Sequence, residues 1–239
     1  MKRIIFIILI SFAYNNICAQ VYNYPVKPGT EAWKKLKSHD DMVNICQIPD
    51  NLIQQMNTPD LLETCLKYPL LFDMYAYDNP KIGFDEMSKN FNGFLSLKKR
   101  SDAGLIILEG YKRINAESVT TFKSEEDKGG FTMHLSAIEI LISNDDILKQ
   151  LKQTHKKDIL KEILRKNHGK EQYKDIFGTL GELTLVYTAS KILDTMDDSV
   201  WESYKAGNQN AKLFSDRMIL SDQGVLINVL LNVQRILNK

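Results

Sequence analysis

Cysteine is scarce in this chain, with three in 239 residues, and tryptophan (two), histidine (four) and proline (six) are scarce as well. So few cysteines exclude a small scaffold stapled by several disulfides, and so few prolines exclude collagen-like and proline-rich extended chains. An excess of one charge is also lacking, because 31 lysines and arginines nearly balance 30 aspartates and glutamates. No global field favours a nucleic acid or an anionic membrane, and no nucleic-acid partner is expected. Glycine-rich phosphate cradles, a G-x-S-x-G elbow, H-E-x-x-H and a D-x-D-x-D-G calcium loop are missing too, so neither a cofactor nor a metal ion is expected. What is present, 44% hydrophobic and 26% charged residues, is the composition of a folded globular chain.

The N-terminus has a separate character. Lys2 and Arg3 precede an apolar stretch over 4–13, and Ile17-Cys18-Ala19 ends in a small residue, which is the pattern of a secretory signal cleaved near Ala19. Asn15-Asn16 interrupts the run well short of the ~20 apolar residues a span requires, so no stable transmembrane segment is expected after cleavage and the destination is periplasmic or secreted. Ile17 before Cys18 does not fit a lipoprotein signal. Removing residues 1–19 takes away two bases and no acid, shifting the formal charge from +1 to −1, and leaves Cys46 and Cys65. In an oxidising exterior a disulfide between them is open, as is the alternative of two separate buried thiols.

Residues 20–29, with Pro25 and Pro28, read as an extended lead-in, since proline removes donors and restrains its predecessor. Helix-sized blocks follow. Thr30 is placed to cap 31–37 and Ser38 to open a block ending at Gln47; Thr58 caps a helix to Lys67 with Pro59 at its first position, and Ser101 caps 102–114. The polar stretch 115–130, ending in Gly129-Gly130, is the best internal boundary; it leaves open one domain over 30–239 or two lobes, 30–114 and 131–239. A short strand is expected at 119–122. Further helices are expected at 131–142, 145–153, 156–167 with Gly169 as C-cap, 172–177, 178–196, 199–206 and 222–238.

Three of these blocks carry narrow polar stripes spaced 4, 3 and 4: Thr132, Ser136, Glu139 and Ser143; Thr184, Thr188, Lys191 and Thr195; Asn228, Asn232, Arg235 and Lys239. The remaining positions are mostly apolar, so these helices must be buried on several sides. By contrast 156–166 shows Ile159, Leu160, Ile163 and Leu164 only, the pattern of an outer helix. The fold class predicted is all-α, a multi-helix array. An α-α superhelix of irregular pairs, of the HEAT or armadillo kind, and a compact bundle both give this layering.

No metal-ligand pair occurs among the four histidines. His134 falls on an apolar face with Ile138 and Leu141, where a core histidine bonded to a carbonyl is the simplest reading. Glu182 shares a face with Val186, Ala189 and Leu193, which would bury it, and an acid–base pair with His134 is the one catalytic constellation that can be assembled. Aromatic side chains concentrate between Tyr68 and Phe94. Tyr75 and Tyr77, with the Asp78-Asn79-Pro80 turn, form the candidate binding groove, whereas Tyr68, Phe72 and Tyr75 at helical spacing read as core.

The phrasing from Tyr24 through Trp33, then Met42-Val-x-x-Cys46-Gln-Ile-Pro49, Leu66-x-Tyr68-Pro-Leu and Asn90-Phe-Asn-Gly-Phe94, resembles a family of secreted helical proteins from Bacteroidetes over residues 24–115. The resemblance implies export; that family has no assigned function, so no catalytic residue carries over. It also makes Asp194-Thr195-Met196 and Asp198-Ser199-Val200 candidate O-glycosylation triplets. The leading expectation is an exported helical module that binds or scaffolds an unknown protein or peptide. The alternative is a hydrolase or lyase using His134 and Glu182.

Overall fold

Apolar residues at helical spacing, divided by capping side chains, give a chain that buries its surface by packing helix on helix. The computed structural model describes residues 21–239; the leader, its cleavage point near Ala19 and Cys18 lie outside those residues. Of the described residues 74% are helical and none is in a strand. The protein is an all-α multi-helix array with one contiguous apolar cluster running from Tyr24 to Ile236.

The order is α1 (Glu31–Lys34), α2 (His39–Ile45), α3 (Asp50–Gln55), α4 (Thr58–Leu66), a 3-10 segment (Leu71–Ala76), α5 (Pro80–Asn90), α6 (Asn92–Lys99) and α7 (Ala103–Arg113). A second 3-10 segment (Ala116–Thr121) leads to α8 (Glu125–Ile142), α9 (Asp145–Leu148), α10 (Gln153–Gln172), α11 (Lys174–Leu193), α12 (Ser199–Gly207), α13 (Gln209–Arg217) and α14 (Gly224–Leu237). Thr30 and Ser38 cap α1 and α2 as their sequence predicts, the latter in a reciprocal capping box with Asp41. α8 and α11 form the most extensive helix pair, and α10 and α14 pack on α11 from its other sides.

Several boundaries differ from the sequence reading. Asn57, not Thr58, caps α4 by accepting the Asp60 N–H, and the Thr58 hydroxyl instead donates to Asp102 at 2.7 Å. α7 has Asp102 at its N-cap with no side-chain cap, so Ser101 lies outside the helix. Residues 119–122 fall in the 3-10 segment and its exit rather than a strand. Gly129-Gly130 lie inside α8, which begins at Ser124 through its bond to the Asp127 N–H. Gly169 lies inside α10, where a Cβ would meet Glu117 and Ala116 at about 3 Å; close packing, not chain termination, requires the glycine.

α14 buries Val225, Leu226, Val229, Val233 and Ile236, as its apolar pattern predicts. Its polar stripe borders this face: Asn232 is buried, and Arg235 and Lys239 reach Asp198 at the N-cap of α12, while Ile227 and Leu231 are 62% and 54% exposed. The buried Asp198 carboxylate needs these cations, because an unpaired buried charge is costly. Hydrogen bonds from Arg235 hold the Asp198 carboxyl well below the usual carboxylate range. The exposed side chain of Ser199 contrasts with Thr195, which is half-buried and bonded to the Ile192 carbonyl.

The α5 contact with the first 3-10 segment depends on Gly83, where a Cβ would fall 2.0 Å from the Met74 carbonyl oxygen. In Gly83→Ala one backbone must retreat, at a cost of about 2–3 kcal/mol. Gly129→Ala, in a helix interior with nothing within 4 Å, should stabilise by about 0.5–1 kcal/mol. Urea unfolding of the two variants checks the opposite signs.

Candidate functional site

The C-terminal turns of α8 and the interior of α11 bring two of the polar stripes face to face. Glu139, fully buried, accepts hydrogen bonds from Lys170 at 2.7 and 2.9 Å, from the Thr184 hydroxyl at 2.6 Å and from the Tyr111 hydroxyl at 3.2 Å. Its main-chain carbonyl accepts from Thr188 at 2.8 Å. The third donor of Lys170 goes to the Gly181 carbonyl at 2.8 Å. Lys166, one turn before Lys170, is also fully buried; its ammonium lies 3.9 Å from the Tyr111 ring centroid and pairs with Glu162 at 3.0 Å. Four helices, α7, α8, α10 and α11, are thus joined through charged groups inside the core. Burial pushes the Lys166 ammonium down to about 8 against the pull of Glu162, and lowers Lys170 against that of Glu139.

Toward its N-terminus α8 carries His134 into a cleft of about 590 Å3. Tyr22 and Tyr24 of the lead-in form one wall; Leu66, Tyr68 and Phe72 form another, and His134 closes it. Thr64 of α4 staples the lead-in: its hydroxyl accepts the Tyr22 N–H at 3.0 Å and its carbonyl accepts the Tyr24 hydroxyl at 3.1 Å. Tyr24 and Tyr68 are buried, Tyr68 stacks on Phe91 at 3.9 Å, and Tyr22 and Phe72 keep exposed ring surface. The ring nitrogens of His134 lie 2.9 Å from the Gly130 carbonyl oxygen and 3.1 Å from that of Leu66. His134 thus rests on main-chain carbonyls as expected, but it is half-buried at the edge of the cleft rather than enclosed in the core.

Glu182 is exposed, not buried, and lines a different cavity of about 600 Å3 beside Lys174, Asp175 and Gly178. The expected pair with His134 is not assembled; the buried acid is Glu139, from one of the narrow polar stripes. Gly178, at φ 58°, breaks the helix after Phe177, where the sequence divides two blocks. Lys170 reaches this second cavity, yet all three of its donors are consumed by Glu139 and Gly181.

The Tyr75–Asn79 groove also dissolves. Tyr75 is half-buried and donates to the Met133 carbonyl at 2.5 Å, Tyr77 is exposed beside a small hollow with His39 and Asp73, and Asp78 is exposed. Asn79 caps α5 through the Ile82 N–H and donates to the Arg217 carbonyl. Cys46 and Cys65 are both free thiols buried in the core, and desolvation pushes Cys46 up to about 11 and Cys65 higher still. Among the described residues no three His, Cys, Asp or Glu side chains gather as metal ligands, and no helix is long and apolar enough to cross a membrane.

Sequence reasoning missed Tyr22, Tyr24, Lys166 and Lys170. For the lysines a signal existed: 156, 159, 163, 166 and 170 continue one helical face, all five buried. Comparison with protein-family models, curated proteins and solved structures finds no match to this chain.

Two predictions follow from the buried charges. Glu139→Gln leaves Lys170 without a counter-charge and should cost about 3–5 kcal/mol; adding Lys170→Met should recover a substantial part of the loss in a double-mutant cycle. Lys166 loses its proton at about 8 in the folded protein and at 10.5 in the unfolded chain, so its penalty is complete below pH 8 and is relieved as pH rises. The Cys46 and Cys65 thiols, both raised from 9.0, work in the opposite direction as pH approaches and passes 9. Subtracting Lys166→Met from wild type cancels the thiols, and that difference in unfolding free energy should rise by about 1 kcal/mol between pH 8 and 9.

Proposed function

We infer that this protein is an exported binding module that receives a peptide segment in the aromatic cleft between the lead-in, the end of α4 and the first 3-10 segment. One observation carries the reading: the cleft walls are aromatic rings held from behind. Tyr24 and Tyr68 are buried and fixed by Thr64 and Phe91, and Tyr22, Leu66 and Phe72 offer partly exposed apolar surface around a volume of about 590 Å3, room for two or three side chains of a bound segment. Rings already ordered in the free protein lose little conformational freedom on binding. The catalytic alternative has lost its support, because His134 and Glu182 open to separate cavities and the buried Glu139 and Lys170 are satisfied by each other. Export, which residues 1–19 suggest, places the partner outside the cytoplasm.

A displayed random-peptide library selected on the purified protein tests this reading. Aromatic-containing peptides should be enriched, and their binding should fall at least about tenfold in Tyr22→Ala/Phe72→Ala with the unfolding midpoint little changed. Enriched peptides that bind this double variant as tightly as the wild type would place the site elsewhere.

A further inference from the structure

The outward face of α14 is built unlike that of a helix meeting water. On α10 the exposed positions of the middle turns are Lys157, Lys161 and Arg165, as solvation requires. On α14 they are Gln223, Ile227, Leu231, Gln234 and Asn238, which helical spacing puts on one side, with Leu230 half-exposed among them. Ile227 and Leu231 are the two most exposed large apolar side chains among the described residues. α2, α5, α6, α7 and α12 expose one such side chain each, which any protein surface tolerates without a partner. α14 exposes two, one turn apart, and backs them with a third.

The stripe is also uncharged. Arg235, the one ionisable side chain within α14, is turned off it onto Asp198 at 2.9 Å, and the inward sides of the helix are taken by α10, α11 and α13. Charge therefore selects no occupant for this face; apolar contact and amide hydrogen bonds must do so. A two-fold contact sets a surface against itself, so like charges on it repel, whereas apolar side chains and amides, which carry both donors and an acceptor, complement their own kind. In a chain with 26% charged residues, α14 presents the composition that a self-pairing face requires. Charge returns only at the two ends, with Asp222 before the helix and Lys239 after it, both exposed. An antiparallel copy sets these opposite signs toward each other and aligns the helix dipoles head to tail; a parallel copy would oppose like with like.

We propose that α14 pairs antiparallel with α14 of a second copy of this chain, Ile227 and Leu231 packing across a two-fold axis against the same two side chains of the copy. Size sets the strength of this contact. A helix of 14 residues is about 21 Å long. Val200, exposed two residues from the Asp198 that Arg235 grips, adds apolar surface near the last turn. One helix pair of that length still falls short of the roughly 800 Å2 that each partner gives to a standard interface, so the dimer should be weak, with Kd on the order of 10–100 μM.

Sedimentation equilibrium of the purified protein from about 5 to about 500 μM tests this, and a reversible monomer–dimer equilibrium is expected. Its Kd should change less than about threefold between roughly 50 and 500 mM salt, because the face itself carries no charge. Ile227→Gln/Leu231→Gln should weaken the dimer at least about tenfold, with the unfolding midpoint little changed because both side chains are exposed. Leu105→Gln, at the exposed apolar position of α7, should leave it as it was. A monomer throughout the concentration range overturns the proposal, as does a dimer that survives the double variant or that high salt dissolves. Growth beyond the dimer marks an open, head-to-tail contact and overturns the two-fold pairing.

Discussion

The buried carboxylate of Glu139 is the constraint around which this protein is arranged. A charge that deep in a helical core is tolerable only with a partner of opposite sign and with its remaining lone pairs filled. Lys170, Tyr111 and Thr184 supply these from α10, α7 and α11, each arriving from a different direction. An apolar core of the same size could tolerate a helix sliding or rotating by part of a turn. Here such a slip would strand a charge, so the network fixes the register of α8 as well as its position. Lys166 over the Tyr111 ring extends the same logic one turn along α10.

That register reaches the cleft. Glu139 and His134 lie on the same helix, five residues apart, and Met133 beside His134 accepts the Tyr75 hydroxyl that ties the 71–76 segment to α8. The cleft is assembled from pieces distant in sequence: a lead-in stapled to Thr64, the last turn of α4, a 3-10 turn, and the middle of α8. None is a binding element alone. The aromatic chain from Tyr22 through Tyr24 and Tyr68 to Phe91 runs from the surface into the core, so the outer ring rests on a rigid stack.

Much of the architecture was legible in the sequence because helix caps and helical periodicity are local. Thr30, Ser38 and the break at Gly178 act where the residues themselves indicate. What failed was the orientation of faces, which is tertiary. The stripe at Glu139 reads as a narrow polar line on a helix buried on several sides, and it meets an identically spaced stripe on α11; only the pairing of the two patterns reveals that. On α14 the stripe likewise meets a buried carboxylate, Asp198, through Arg235 and Lys239. Glu182 sits on an apolar face by spacing, yet Gly178 ends the preceding turn and leaves that first turn of the main helix open to solvent. The cleft was least legible, because half of its wall comes from a proline-marked lead-in whose extended backbone is fixed by one threonine on a distant helix.

If a partner's chain enters the aromatic cleft beside the buried ion pair, a crystal structure of the protein with a library-selected peptide bound will show it there. An aromatic side chain of the peptide should lie between Tyr22 and Phe72, with α8 unmoved at Glu139. A peptide seated instead along Ile227 and Leu231 of α14, or in the cavity beside Glu182, would contradict it.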